Sequence, residues 1–171
     1  NAALKRAGLP LTYEALDVPP PDLDERIAWC LSEGVAGNVT VPHKEAVARA
    51  CSSLTPVAER AGAANVFWVE QGALVGDNTD VPGFLDAAET LLGAAPADAR
   101  VAVFGAGGSA AAVLLALTEW SGARARVWAR SRERAAALGS RFPDVASLAA
   151  TPHEAARHAT IVINATPIGL T

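Results

Sequence analysis

The sequence lacks a cysteine framework and long apolar runs. Cys30 and Cys51 are its only cysteines, and they form no CxxC pair. Isolated cysteines of this kind are typical of buried free thiols in a reduced compartment. No apolar run approaches the roughly 20 residues that a bilayer-spanning helix needs, and no secretory signal opens the chain. We therefore expect a cytoplasmic protein that has no membrane partner.

An excess of positive charge is also missing. The chain has 14 basic and 18 acidic residues, which makes its formal net charge -4. This balance gives no reason to expect nucleic acid as a partner. The three histidines, His43, His153 and His158, do not have the spacing of metal ligands, so no metal site is expected.

The two halves of the chain differ in pattern. Residues 1–92 mix helix-like and strand-like segments, and the small-residue stretch Gly93–Ala99 indicates a linker. Buried strands then alternate with helices, which is typical of a parallel, doubly wound sheet. We expect an α/β fold with two domains, 1–92 and 93–171. Because the sequence opens inside a helical pattern and stops after a strand, we expect both domains to be truncated.

Several elements of the first half can be placed from local patterns. Leu11–Val18 has the composition of a strand, and Gln71–Gly72 marks the turn of a hairpin. Asp22 and Thr79 are candidate N-caps of the helices that follow them.

A glycine-rich turn follows the first buried strand of the second half. The stretch "GAGGSA" fits G-x-G-x-x-A, and it lies between a strand and a helix, as dinucleotide binding requires. Gly105 permits the tight turn, Gly107 lets a pyrophosphate approach the backbone, and Ala110 keeps the helix close to the sheet. The alternative is a tight turn without a ligand. The predicted cofactor-binding residues of this turn are Gly105, Ala106, Gly107, Gly108, Ser109 and Ala110.

No acidic residue ends the second strand of this half, where NAD-binding folds usually hold the ribose. The strand ends in "VWARSRER". Arginine can bind a 2′-phosphate through two parallel hydrogen bonds, whereas a carboxylate would repel it. The sequence therefore favours NADP, with a solvated basic helix start as the alternative. The candidate residues are Arg130, Ser131, Arg132 and Arg134.

Lys44 and Asp80 each lie in the first turn of a predicted helix. The positive end of the helix dipole opposes the lysine ammonium and favours the aspartate carboxylate. A pair of this kind suits proton transfer. The alternatives are an exposed helix lysine and an ordinary capping aspartate, and spacing alone does not bring the two side chains together.

Five stretches in this order carry a family resemblance. The chain resembles the shikimate dehydrogenase family, which includes quinate/shikimate relatives. The stretches are "GNVTVPHK" (37–44), "GAANV" (62–66), "GDNTDVPGF" (76–84), "GAGGSA" (105–110) and "NATPIGL" (164–170).

The resemblance implies a substrate-binding domain followed by a Rossmann-like NADP-binding domain, with the active site between them. It implies NADP-dependent, reversible reduction of 3-dehydroshikimate to shikimate by a monomer or homodimer. Lys44 and Asp80 match the catalytic pair. The resemblance further implies that Asn38, Thr40 and Asn65 bind substrate, and that Arg130, Ser131, Asn164, Ala165 and Thr166 bind the cofactor.

The chain departs from the family pattern in three places. Ala129 replaces an asparagine that usually precedes the 2′-phosphate arginine. A Ser-x-Ser segment before Asn1 and a glycine-rich region after Thr171 do not occur in this sequence. Two alternatives therefore stay open: a quinate/shikimate enzyme of broader specificity, and a dinucleotide-binding module that does no chemistry.

Overall fold

The computed structural model describes residues 1–169, so Leu170, the end of the fifth matching stretch, lies outside the described residues. Helices and strands alternate along the chain. The first half contains α1 (Ala2–Arg6), a 3₁₀ turn (Pro20–Asp22), α2 (Leu23–Glu33), β1 (Gly37–Asn38), α3 (Lys44–Ala50), β2 (Ser53–Leu54), α4 (Pro56–Ala61), β3 (Val66–Glu70), β4 (Ala73–Asp77) and α5 (Asp80–Leu92). The second half contains β5 (Arg100–Phe104), α6 (Gly108–Leu117), β6 (Arg124–Trp128), α7 (Arg132–Ser140), β7 (Ala146–Leu148), α8 (Pro152–Ala156) and β8 (Ile161–Asn164).

The first half builds a mixed sheet in the order β1-β3-β4-β2. The β3–β4 hairpin is antiparallel, whereas β2 runs parallel to β4. Its turn residues Gln71 and Gly72 both have positive φ, 51° and 77°. A two-residue turn with this backbone matches the right-handed twist of the strands. The predicted hairpin is therefore confirmed.

The second half builds a fully parallel sheet in the order β7-β6-β5-β8. Val103 in β5 pairs with Val127 in β6 and with Ile163 in β8. Val103 and Val127 are fully buried, as expected where helices cover a parallel sheet. The predicted α/β class is confirmed. No helix described between residues 1 and 169 is long and apolar enough to cross a bilayer.

The main core lies around α6. Every residue from Ala110 to Leu117 is buried, so this helix is apolar on all sides and packs against neighbours all round. Ala61 of α4 and Val81 and Ala88 of α5 belong to the same core. The two halves therefore share packed surface, and the division between residues 92 and 93 stays a prediction.

The expected strand at Leu11–Val18 does not form in the described chain. A strand is stabilised by hydrogen bonds to a neighbour, and composition alone does not supply one. Instead, the side-chain amide of Asn1 binds the backbone of Tyr13: Tyr13 N–H donates to Asn1 Oδ1 at 2.8 Å, and Asn1 Nδ2 donates to Tyr13 C=O at 3.0 Å.

The two predicted N-cap residues lie at the expected positions, but their side chains do not form the expected hydrogen bonds. Asp22 and Thr79 precede α2 and α5, yet neither side chain makes a capping hydrogen bond. Both residues have helical backbone angles, whereas a capping side chain normally requires an extended backbone. Thr55 and Ser131, which are extended, do cap α4 and α7.

Both cysteines are free thiols. Cys30 is buried and Cys51 is partly buried. Burial raises the pKa of the Cys30 thiol, against a smaller opposing effect of the Arg26 charge, and burial also raises the pKa of Cys51.

Candidate active site

The starts of two helices meet at the Lys44–Asp80 pair. Lys44 is the first residue of α3, and Asp80 is the first residue of α5. Lys44 Nζ donates to Asp80 Oδ2 at 2.7 Å, with 13% of the lysine side chain and 29% of the aspartate side chain exposed. The carboxylate thus offsets the helix dipole that opposes the ammonium. The pair is therefore screened from most solvent, and part of the carboxylate stays exposed.

Asn65 holds the second carboxylate oxygen of Asp80. Its Nδ2 donates to Asp80 Oδ1 at 2.8 Å and to Thr79 Oγ1 at 3.0 Å. Its Oδ1 accepts from the Thr79 backbone N–H at 2.8 Å. With Lys44 on one oxygen and Asn65 on the other, the Asp80 carboxylate has a fixed orientation. The predicted contact of Asn65 with substrate stays a prediction.

Asn78, which was not predicted from the sequence, joins the two catalytic candidates through the backbone. This side chain is only 1% exposed. Its Nδ2 donates to Ala63 C=O at 2.8 Å, and its Oδ1 accepts from Asp80 N–H at 3.0 Å. The next residue, Ala64, donates its N–H to Lys44 C=O at 2.9 Å. The sequence pattern that could have identified Asn78 is an asparagine two residues before an aspartate that starts a helix. The side chain of such an asparagine often binds the backbone N–H two residues later.

The glycine-rich turn is shaped by the loop after β8. Gly105 has φ 125°, and a Cβ there would lie 2.6 Å from Ala165 C=O. Ala165 N–H in turn donates to Phe104 C=O at 2.8 Å. Gly105 is therefore required both by its backbone angle and by the approach of the neighbouring loop. Two stretches that were predicted to bind the cofactor lie in direct contact.

The space in front of Gly107 is open. A Cβ on this residue would meet one atom within 4 Å, Nη2 of Arg134, at 4.0 Å. The first N–H groups of α6 have no intrahelical acceptor and can bind an anion. The predicted approach of a pyrophosphate therefore fits the geometry here.

The other side of the turn packs against Lys44. A Cβ on Gly108 would lie 3.0 Å from Lys44 Cβ and 3.1 Å from Ala63 Cβ. Lys44 Nζ also donates to Ser109 Oγ at 3.2 Å. The glycine-rich turn and the lysine thus form one continuous site.

The arginines after β6 take different positions. Arg130 and Arg132 are exposed and line a pocket at the carboxyl end of β6, together with Trp128, Ala129 and Leu148. The Arg134 side chain lies elsewhere, with Nη2 3.4 Å from Glu45 Oε1 at the start of α3. Arg130 therefore has the better geometry for a 2′-phosphate, and the guanidinium of Arg134 bridges the two halves.

Ser131 and the loop after β8 make local hydrogen bonds. Ser131 Oγ accepts from Arg134 N–H at 3.2 Å. Asn164 Oδ1 accepts from the backbone and side chain of Thr166, and Asn164 Nδ2 donates to Ile168 C=O at 2.9 Å. These bonds give the loop a defined shape, and its contact with a cofactor stays a prediction.

Asn38 and Thr40 are exposed on the segment that leads into α3. Tyr13 O–H lies 3.4 Å from Asn38 Oδ1, and Thr40 C=O accepts from His43 N–H at 3.0 Å. Their contacts with substrate hydroxyls stay a prediction. Across residues 1–169, no three histidine, cysteine or acidic side chains form a cluster that could hold a metal ion.

Comparison with known proteins agrees with this geometry. Residues 1–67 match the family model described as the shikimate dehydrogenase substrate binding domain. Shikimate dehydrogenase (NADP(+)) of Thermus thermophilus is 40% identical over 98% of this chain and 61% of its own length. The chain thus spans about three fifths of the curated relatives that it matches.

Solved structures give the same result. The crystal structure of shikimate dehydrogenase from Aquifex aeolicus has a TM-score of 0.88 at 32% identity, over 99% of this chain and 63% of that one. The Thermus thermophilus enzyme in complex with NADP(H) and shikimate has a TM-score of 0.80 at 39% identity, over 98% and 62%. On this evidence, the chain belongs to the shikimate dehydrogenase family.

Proposed function

We propose that the complete protein that carries this chain is an NADP-dependent oxidoreductase that interconverts 3-dehydroshikimate and shikimate, a step of aromatic amino-acid biosynthesis. The observation that carries this proposal is the 2.7 Å contact between Lys44 and Asp80 beside the glycine-rich turn. The similar Thermus thermophilus structure holds shikimate and NADP(H), which supports both the substrate and the cofactor.

Lys44 serves as the proton donor and acceptor. When bound, NADPH supplies the hydride that reduces the substrate carbonyl carbon. The carbonyl oxygen gains its proton from the Lys44 ammonium, which leaves a hydroxyl on the product and a neutral amine on the lysine. Solvent then restores the ammonium. In the oxidation direction, the neutral amine takes the hydroxyl proton.

Asp80 orients the lysine and stabilises its charged form. Its two carboxylate oxygens are held by Lys44 and Asn65, so the carboxylate cannot rotate away. Its fixed negative charge also compensates the helix dipole at the start of α3, which opposes the ammonium. We assign substrate hydroxyls to Asn65, Asn38 and Thr40. Because both amide hydrogens of Asn65 are already donated to Thr79 and Asp80, the substrate would replace Thr79 Oγ1 at this amide.

The cofactor residues fit a phosphorylated dinucleotide. The open space at Gly107 and the unpaired N–H groups at the start of α6 suit the pyrophosphate. The pocket beside Arg130 suits the adenosine 2′-phosphate, although Ala129 offers no polar side chain there. We assign to the cofactor Gly105, Ala106, Gly107, Gly108, Ser109, Ala110, Arg130, Ser131, Arg134, Asn164, Ala165 and Thr166.

We also propose that residues 1–92 form the substrate domain and residues 93–171 the first part of the cofactor domain. The separate sheets of the two halves support this division. Either a monomer or a homodimer is compatible with a site built from one chain.

The test is an assay of NADP reduction by the complete protein with shikimate and with quinate, and with NAD in place of NADP. We expect the highest kcat/KM for shikimate with NADP. Comparable kcat/KM values for quinate would indicate the broader quinate/shikimate specificity. NADP binding without turnover of either substrate would support the non-catalytic module and contradict the proposal.

A further inference from the structure

We propose that Ser109 is a positioning residue for proton transfer, because its hydroxyl, together with Asp80, orients the amine of Lys44. This inference rests on the proposed function. It assigns to the cofactor turn a role beyond phosphate binding, since one side chain of that turn contacts the group that moves the proton.

The geometry places two acceptors around one nitrogen. Lys44 Nζ lies 2.7 Å from Asp80 Oδ2 and 3.2 Å from Ser109 Oγ. Ser109 is the second residue of α6, so its Cα is fixed by a helix that is buried along its following turns. The backbone of Gly108 packs on the lysine, and a Cβ added to Gly108 would lie 3.4 Å from Lys44 Cδ. The lysine side chain therefore has little room to turn away from Ser109.

The two acceptors determine which hydrogen of the Lys44 amine stays free for the substrate. A lysine ammonium has three N–H donors and no acceptor. Asp80 and Ser109 bind two of them, so the third N–H is left for a substrate oxygen. A neutral amine has two N–H groups and one lone pair. With both N–H groups bound to Asp80 and Ser109, the lone pair points where the third hydrogen had been.

The third N–H bond of the ammonium and the lone pair of the neutral amine thus point the same way, towards the substrate oxygen, in reduction and in oxidation. In reduction, the third N–H bond breaks and its proton goes to the substrate oxygen. In oxidation, the substrate O–H bond breaks and the proton binds the lone pair. Asp80 alone would leave the amine free to rotate about a single hydrogen bond, so the second acceptor defines the remaining angle.

The first experiment compares Ser109→Ala with Ser109→Thr in the complete protein. Ser109→Ala removes the acceptor, and Ser109→Thr keeps an oxygen on the same carbon. Because a hydrogen bond to a charged group is at stake, we expect Ser109→Ala to lower kcat about tenfold, with KM for shikimate changed by no more than about twofold. Ser109→Thr should recover most of kcat.

A matched control is Ser140→Ala, which removes an exposed hydroxyl that binds Ala137 C=O one turn earlier in α7. It should leave kcat and KM unchanged. The Kd of NADP is measured for all variants, because Ser109 also belongs to the proposed cofactor turn. A weakened Kd with kcat preserved in Ser109→Ala would overturn the inference and leave Ser109 as a phosphate contact.

A second experiment keeps the inference separate from the proposed activity. Hydrogen-bonded lysine amines exchange their protons slowly with water, and ¹⁵N-lysine NMR detects this exchange. The Lys44 signal is assigned by its loss in Lys44→Ala. We expect Ser109→Ala to speed its exchange and Ser109→Thr to restore it, whether or not the protein turns over shikimate. Equal exchange rates in the three proteins would show that Ser109 does not hold the amine.

Discussion

The two halves of the molecule are stabilised by different interactions. In the second half, α6 and the parallel strands bury long apolar stretches, and Val103 and Leu114 are fully buried. In the first half, the separate core has four fully packed members, Leu23, Val47, Ala48 and Ala64. Apolar burial therefore dominates one half, whereas the other half contains the buried side chain of Asn78 and the Lys44–Asp80 ion pair.

The buried polar side chain of the first half belongs to the site. Asn78 is the only buried polar side chain in the described residues, and both ends of its amide have partners. Such a network stabilises one arrangement when every member is paired, and each lost partner leaves an unpaired buried group. The apolar half therefore supplies a rigid support, whereas the polar half holds the reacting groups in place.

Lys44→Ala should have the largest effect. Removing the proton donor should lower kcat about 10²–10⁴-fold, with a smaller effect on KM, and should also lower the thermal midpoint, because the mostly buried Asp80 carboxylate loses its ion-pair partner. Steady-state kinetics with shikimate and a melting curve would check this. The control is Lys5→Ala, because Lys5 is the other lysine of the chain and is exposed in α1. An unchanged kcat in a Lys44→Ala variant that stays folded would show that Lys44 does not transfer the proton.

Asp80→Asn should change kcat in the same direction as Lys44→Ala, but less. The amide retains a hydrogen-bonding group and loses the charge that supports the ammonium. Steady-state kinetics under the same conditions would measure the difference. A larger loss than in Lys44→Ala would indicate that Asp80 itself transfers the proton.

Leu114→Ala should produce the largest loss of stability. Leu114 lies in α6 with its side chain fully buried, so truncation should lower the free energy of unfolding by about 2–5 kcal/mol. Chemical denaturation would measure this change. Leu91→Ala is the matched control, since Leu91 is 83% exposed at the end of α5. Equal losses in the two variants would contradict the assignment of the main core to α6.

Arg130→Ala should affect cofactor choice without affecting stability. Losing a charged hydrogen bond to phosphate should weaken NADP binding by about 1.5–3 kcal/mol and leave NAD binding nearly unchanged. Titrations with both cofactors would measure the difference. Arg124→Ala, at the opposite end of β6, should change neither. Equal weakening of NADP and NAD would mean that Arg130 does not contact the 2′-phosphate.

Glu45→Gln should have the smallest effect, although it breaks the ion pair between the halves. Glu45 and Arg134 are 3.4 Å apart and partly exposed, so the pair should contribute less than about 1 kcal/mol to stability. Melting curves at low and high salt would test this. A large drop in the midpoint would show that the halves depend on this ion pair more than on the packing of α5 against α6.

Local patterns predicted the elements that depend on local chemistry. The hairpin at Gln71–Gly72 and the glycine turn at Gly105 each require a particular backbone, and the sequence displays the residues that allow it. The alternation of strands and helices predicted the parallel sheet, because helices connect successive strands of such a sheet. Lys44 and Asp80 are separated by 36 residues, and no local rule joins them. Their proximity was therefore expected from the family resemblance alone.

Contacts between distant segments could not be predicted. The strand expected at Leu11–Val18 failed because pairing depends on a neighbour, which composition does not reveal. Asn78 has an ordinary polar sequence around it, and its importance depends on Ala63, 15 residues earlier. The position of Arg134 beside Glu45 likewise depends on how the halves pack, 89 residues apart.

The close packing at Gly108 has a consequence for protein engineering. A methyl group there would lie 3.0 Å from Lys44 Cβ and 3.1 Å from Ala63 Cβ, which is tighter than side chains normally pack. Redesign of cofactor preference through the glycine-rich turn would therefore disturb the lysine at the same time. The pocket at Arg130 is far more permissive, since its arginines are exposed and its lining is separate from the proton-transfer pair. A library that aims to exchange NADP for NAD should accordingly vary residues 129–132 and leave residues 105–109 intact.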